Sequence, residues 1–356
     1  MTTHRIAVIR GDGIGKEVVD EGLKVLESVS TVTRVDCVFT EFPWGSDYYL
    51  HSGKMLPENG IETLSGFDAI FLGAIGHPEI QDHITLNGLL LPIRRTFDQF
   101  VCQRPSVLYP GVQSPLEGVH PYDIDLVVVR ENTEGEYANV GGFQYLNSPE
   151  EVAVQTAVFT RRGCERVIEY AFELARNRNK RKHVTSITKS NAMGYSMTLW
   201  DRTFALVAER NSDIDTNSLL IDAACMDFIR RPESFDVVVA SNLYGDILTD
   251  IGAIITGSMG LAASANINPD HSVPSMFEPV HGSAPDISGQ GIANPMAQIM
   301  TAAMMLEHLG EHSASQAIQK ATLSVLASGE VLTPDLGGTC STAEVGDAIV
   351  AALSES

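Results

Sequence analysis

DVVVASNLYGDILTDIGAIITGSMG, residues 236–260, reads as a short buried strand running into a helix. Val237, Val238 and Val239 form the kind of β-branched run that fills a parallel sheet. Ser241 and Asn242 are helix-capping residue types, so the helix starts just after them. On it, Asp246 and Asp250 stand four residues apart, which sets both carboxylates on one face with Cβ atoms roughly 5–6 Å apart. Two like charges at that spacing destabilise an isolated helix. A hard divalent cation, which takes oxygen ligands, would offset the repulsion. The end of a buried strand is also where α/β proteins place their ligands. A plainer alternative stays open: an acid in a helix's first turn suits the N-terminal dipole, and Asp250 is then a solvated surface residue. Two carboxylates do not complete a cation site, so further ligands must come from elsewhere in the chain.

A chain of 356 residues is long enough for a large core, and for about two domains. Its 44% hydrophobic and 7% aromatic content is that of an ordinary soluble globular protein. The 24 basic and 45 acidic side chains leave a net charge of −21, which argues against nucleic acid and anionic membranes as partners. An anionic substrate then needs a local cluster of positive charge. The opening MTTHRIAVIRGDG lacks a secretory pattern, and the most apolar stretch, within 251–265, is broken by Gly and Ser, so no membrane segment is expected. Cys37, Cys102, Cys164, Cys225 and Cys340 are odd in number and scattered. They read as reduced thiols of a cytoplasmic protein.

Working outward, RIAVI at 5–9 is a strand, followed by Gly-Asp-Gly-Ile-Gly at 11–15 and an apolar-periodic helix through Val18, Val19, Leu23 and Leu26. The glycine spacing is wrong for a dinucleotide fingerprint, and the motif reads as a tight strand-to-helix turn. Residues 35–39 and 68–72 repeat the strand pattern, and strands alternating with helices imply an α/β fold with a mainly parallel sheet. LLLPIRRTFDQFVCQR, 89–104, reads as a helix carrying Arg94, Arg95 and Arg104, and Arg130 follows the strand DIDLVVV. Arginine takes carboxylates bidentately through its planar guanidinium; surface ion pairs are the alternative. In RENTEGEYANVGG, 130–142, Tyr137 sits among polar residues and glycines, an unusual setting for a packing tyrosine and one open to proton transfer.

Residues 152–158 alternate like a strand, 165–175 form an amphipathic helix, and the basic run 176–183 is its solvated end. HVTSITKSNAMG, 183–194, is a strand and turn that leaves Lys189 at the strand's end, as a base or as a solvated lysine. Asp222, ending the apolar run SLLID, is a third carboxylate or an N-cap. FEPVHGSAPDISGQGIANP, 277–295, is a long loop of the functional kind, in which Asp286 either accepts from ribose hydroxyls or stabilises a turn. A helix from about 296 packs Met300, Met304 and Met305, and 313–353 adds two helices around TPDLGG.

In this order GDGIG, R-(x9)-RP, RENTEG-Y, TKSN, NLYGDILTD and HGSAPD…GIANP resemble the β-decarboxylating dehydrogenases, the family of isopropylmalate, isocitrate and tartrate/D-malate dehydrogenases. The resemblance covers essentially the whole chain. It implies that family's two-domain α/β fold, with a largely parallel sheet and a non-Rossmann NAD site. Residues 1–100 plus 256–356 would form the larger NAD-binding domain and 101–255 the dimerisation and substrate/metal domain, with the active site in the cleft between them. It also implies Arg94, Arg104 and Arg130 on the substrate's carboxylates, and Asp222, Asp246 and Asp250 on Mg²⁺ or Mn²⁺, with K⁺ as an optional further ion. Tyr137 and Lys189 match the catalytic pair. NAD would lie on 281–294, with Asp286 on the adenosine ribose, His281, Gly282, Ser283 and Ala284 beside it, and Asn294 near the adenine. Homodimers are implied, with Lys189 and Asp222 reaching the partner's site.

RRTFDQF, TKSNAM and FTRRG look like the tartrate/D-malate branch, and Asp286-Ile287 stand where NADP enzymes carry Lys and Tyr. The activity implied is NAD-dependent, divalent-metal-dependent oxidation, with β-decarboxylation, of D-malate and/or tartrate, D-malate giving pyruvate and CO₂ and tartrate being either decarboxylated or only oxidised. TLNGLLLPI departs from the branch at Asn87 and Pro92, which keeps an isopropylmalate or related 2-hydroxy acid open. A non-catalytic regulatory subunit of the same fold is the remote alternative.

Overall fold

The computed structural model describes residues 2–355. The chain is α/β and divides into two compact units, Met1–Gln99 with Arg104–Ile124 and Gly252–Ser356, and Phe100–Gln103 with Asp125–Ile251. Residues 104–124 belong to the first unit. Their bonds explain it: Ser114 Oγ donates to Ile255 O (2.6 Å), and Gly111 and Gly257 are packed against Leu326 and Val112.

In the first unit Thr2–Gly11 lies between Val35–Glu41 and Ala69–Ala74, parallel to both. Ser275–Phe277 continues the sheet in parallel, and Ala265–Ile267 pairs with it antiparallel. Ile6 to Ile9 and Ala69 to Leu72 have no exposed surface, as strands covered on both faces require. Helix Gly15–Val32 buries Val18, Val19, Val25, Leu26 and Val29 at helical spacing. The C-terminal helices Met296–His308, His312–Ser328 and Thr342–Ser354 pack with it. The last begins with a capping box between Ser341 and Glu344, which satisfies two otherwise orphaned amides.

The expected helix 89–104 is not one element. A π-helical turn, Leu86–Leu90, leads into a short helix, Leu91–Thr96, and Val101–Val107 is a strand that carries Arg104. Asn268 explains the break: its Nδ2 donates to the carbonyls of Phe97 (3.1 Å) and Asp98 (3.3 Å), and Asp98 turns to φ +42°. A partner 170 residues away in sequence leaves no trace in local periodicity.

In the second unit Val237–Ala240 lies between Asp125–Glu131 and His183–Thr188, parallel to both, with Asp215–Leu220 beyond. Val237 to Ala240 are wholly buried. Gly135–Gln144 and Val152–Val158 make a separate antiparallel pair. Phe143 in this pair and Tyr145 and Leu146 beside it are each at least 60% exposed. Nor is the basic run 176–183, which begins inside helix Arg161–Arg178, wholly solvated: Arg178 bonds the buried Asp236 (3.0 Å) and Asp125 (2.9 Å). Among the described residues no helix is long and apolar enough to cross a membrane.

Candidate active site

Helix Asn242–Ile255 follows the strand Val237–Ala240, as the opening stretch implies. Glu136 holds its start, accepting from Ser241 Oγ (3.3 Å) and Leu243 N (3.2 Å), a carboxylate on the positive end of the helix. Gly245 is glycine because Arg130 crosses the helix there: a Cβ would lie 2.6 Å from Arg130 Cβ. The guanidinium, with its side chain only 3% exposed, donates Nε (3.0 Å) and Nη2 (2.7 Å) to Asn242 Oδ1. Its Nη1 donates to Asp246 Oδ1. The other oxygen of Asp246 accepts the Tyr137 hydroxyl at 2.9 Å, and Arg130 lies over the Tyr137 ring, 5.3 Å from its centroid. One carboxylate thus collects a fixed cation and a phenolic proton. Asp250, one turn on and exposed, shares its face.

Lys189, just past strand His183–Thr188, donates to Asp222 Oδ1 at 2.5 Å. Asp222 lies in the first turn of helix Ile221–Arg230, inside the helix and not at its N-cap. The hydrogen bond from Lys189 holds its carboxyl below the usual carboxylate range. Among the described residues no three His, Cys, Asp or Glu side chains come together as metal ligands; Asp246 and Asp250 share one helix face and Asp222 is paired with Lys189.

The remaining expected residues belong to the first unit. Arg94 is buried and donates Nη2 to Glu278 (2.6 Å), which also accepts from Asn266 (2.8 Å). Its buried Nε has no hydrogen-bond partner among the described residues, a donor left over for an incoming acceptor. Arg104 is buried on its strand, 7% exposed. From Glu278 to Pro295 the chain has no helix or strand, as expected. Within it Asp286 is exposed, Ala284 is strained at φ +40°, and a cavity of ≈ 290 Å³ is lined by His281, Ala284, Ile287, Asn294, Ile14 and Asp335 among others.

Burial pushes the His281 ring below its usual range. Its Nδ1 lies 3.1 Å from Gly282 O, and its buried Nε2 has no partner among the described residues. A neutral ring donating from Nδ1 presents Nε2 as an acceptor. Asn294 is engaged at both ends, accepting from Met296 N and donating to Asp335 (3.0 Å each).

The family model for isocitrate/isopropylmalate dehydrogenases matches residues 5–349. The chain belongs to the isocitrate/isopropylmalate dehydrogenase family. It is 52% identical over 355 residues to a probable tartrate dehydrogenase/decarboxylase of Bacillus subtilis, covering 99% of both chains. It is 50% identical to the D-malate dehydrogenase [decarboxylating] of Escherichia coli, over 98% of each. Identity is also 50% to the tartrate dehydrogenase/decarboxylase of Pseudomonas putida, over 98% of this chain and 97% of that one. The crystal structure of isocitrate dehydrogenase from Methylococcus capsulatus matches with a TM-score of 0.89 at 35% identity, covering 98% and 99%. The expected family and fold both hold.

The donor sets suit the cofactors of such a dehydrogenase. The Asp246 and Asp250 carboxylates offer oxygen donors of the type hard divalent cations select. The mainly apolar cavity with one unmet acceptor suits a purine. Sequence reading missed Asn242 as the holder of Arg130, having seen only a cap, and missed Glu278 on Arg94 and Asp335 on Asn294. The acid in TPDLGG was in view; nothing local pointed to Asn294, 41 residues away.

Proposed function

We propose that this family member is an NAD-dependent, divalent-metal-dependent dehydrogenase that oxidises and β-decarboxylates D-malate and tartrate, turning D-malate into pyruvate and CO₂. The observation that carries it is Asp246, which gathers the Arg130 guanidinium and the Tyr137 hydroxyl on one carboxylate, beside Asp250 on the same helix. Relatives at about half identity are named for these two substrates.

Arg94, Arg104 and Arg130 bind the two carboxylates of the 2-hydroxy acid, reversing locally the field of a chain with net charge −21. Asp246 and Asp250, with Asp222 of the partner subunit, hold Mg²⁺ or Mn²⁺. When bound, the cation supplies Lewis acidity at the C2 oxygen and NAD⁺ supplies the hydride acceptor. Lys189 removes the C2 hydroxyl proton from the substrate in the partner's site. Tyr137 delivers a proton to the carbon that has lost CO₂. Asp286 accepts from the adenosine ribose hydroxyls, and His281, Gly282, Ser283, Ala284 and Asn294 line the adenosine site. The protein acts as a cytoplasmic homodimer; its apolar hairpin and the exposed Met226, Ile229, Ile247 and Ile254 support an extensive interface.

The test is initial NADH formation with Mn²⁺, with and without K⁺, over D-malate, L-malate, L- and meso-tartrate, isopropylmalate and isocitrate, each with a chelator control. Chelator-sensitive turnover of D-malate or tartrate is the expected result. Preference for isopropylmalate would keep the chemistry and move the substrate, a second reading that the departures at Asn87 and Pro92 leave open. No turnover of any of the acids would sink the enzyme reading and favour a regulatory subunit. Asp286→Ala is expected to raise the KM for NAD⁺ about tenfold (~1.4 kcal/mol) by removing the ribose acceptor; an unchanged KM would move the ribose contact elsewhere.

A further inference from the structure

The GDGIG turn at 11–15 and the acid that follows it, Glu17, grip the loop 281–294 by its backbone. Ile14 N donates to Ser283 O at 2.9 Å. Gly13, at φ +53°, passes so close that a Cβ there would lie 2.0 Å from the same carbonyl oxygen. In the first turn of the helix, Glu17 accepts from Gly289 N through Oε1 (2.5 Å) and from Gly291 N through Oε2 (2.9 Å). The turn itself is anchored by Asp12, 3% exposed. Its carboxylate takes Ser46 N (2.8 Å), Ser46 Oγ (2.6 Å) and Gly76 N (2.9 Å). Two rigid points, Ser283 and the Gly289–Gly291 pair, therefore bracket Asp286.

We propose that Glu17 is a positioning residue for NAD binding: its carboxylate holds the loop in the conformation that presents Asp286 and the His281 cavity to the cofactor. This rests on the reading of 281–294 as the NAD segment. Between the two anchors, among the described residues, the loop's hydrogen bonds are short-range ones of its own, Ile287 N to Ala284 O (3.1 Å), Gln290 N to Ile287 O (3.2 Å) and Gln290 Nε2 to Asp286 O (2.7 Å), and Ala284 and Ile287 pack against Ile14, Val18 and Ala293. Such bonds shape a turn without fixing where it points. The far end of the loop is held by the Glu17 carboxylate, which accepts from two amides, together with Thr342 N donating to Gly291 O (2.8 Å). A loop released from it visits other conformers, and apparent cofactor affinity falls in proportion to the fraction still competent. Glu17 lies on none of the elements that carry Tyr137, Lys189 or Asp246, so the chemical step at saturating cofactor is left alone.

Glu17→Gln keeps the shape but replaces one acceptor oxygen by an NH₂ that faces an N–H. The full-length variant is compared with wild type and Asp286→Ala by calorimetric titration with NAD⁺, steady-state kinetics, thermal unfolding and amide exchange of residues 286–291. The expected result for Glu17→Gln is about tenfold weaker NAD⁺ binding and faster exchange across the loop, with kcat and the KM for the hydroxy acid within about twofold. If Asp286→Ala weakens NAD⁺ and Glu17→Gln does not, the positioning role falls and the NAD segment stands. If neither variant weakens NAD⁺, the NAD segment and the role of Glu17 fall together. Matching losses in cofactor affinity, kcat and thermal stability would make Glu17 a general scaffold residue and overturn the proposal.

Discussion

Asp246→Asn is expected to lower kcat about 10³-fold (~4 kcal/mol) while the protein stays folded. The amide keeps the size and one acceptor oxygen, so Arg130 or Tyr137 retains a partner there, and Arg130 still donates twice to Asn242 Oδ1. What disappears is the negative charge, and with it an ionised ligand of the proposed cation. Asp246 is about a third exposed, so water replaces the lost interaction at little cost to folding. The thermal midpoint should move by no more than about 5 °C, and affinity for Mn²⁺, titrated directly, should fall together with turnover. Undiminished turnover by wild type after metal removal would sink the cation assignment. A variant that loses turnover with Mn²⁺ affinity intact would leave Asp246 serving Arg130 and Tyr137 alone.

Lys189→Met is expected to cost about 10³-fold in kcat, the range of a positioned general base, with little change in NAD⁺ affinity. Methionine preserves the length of the side chain but cannot take the C2 hydroxyl proton. Asp222 loses the ammonium that donates to it at 2.5 Å. Its carboxyl, held low by that bond, then moves back towards the ordinary carboxylate range and stays ionised near neutral pH. The variant also tests how the site is shared. If Lys189 serves the partner's site, a Lys189→Met subunit and a Tyr137→Phe subunit complement each other in a mixed dimer. Random reassortment makes half the dimers mixed, each with one intact site, so about a quarter of wild-type activity returns. No recovery, with mixed dimers verified by mass, would place Lys189 and Tyr137 of one chain in the same site.

The strands Thr2–Gly11, Val35–Glu41, Ala69–Ala74 and Val237–Ala240, and the helices beside them, were legible because burial on both faces writes itself into short apolar runs and helical spacing. Periodicity failed over 89–104. There the apolar spacing suits a helix, but the carbonyls of Phe97 and Asp98 are claimed by Asn268 and the chain turns into a strand. For the candidate site residues the sequence carries local placement alone, written in neighbouring residues: Asp246 and Asp250 four apart on one helix, Lys189 just past a strand's end, Asp286 in a long loop.

The sequence by itself determined the alternation of strand and helix, the two carboxylates on one helix face and the motif order that assigns the family, because each is written in residues close together along the chain. Only the tertiary structure decided which groups hold those residues in place. Arg130 is aimed by Asn242, 112 residues on, Arg94 is paired with Glu278 across 184, and Gly289 is bound to Glu17 across 272. A hydrogen bond needs its partners within about 3 Å in space and imposes nothing on their separation in sequence, so such pairs leave no pattern until the chain has folded.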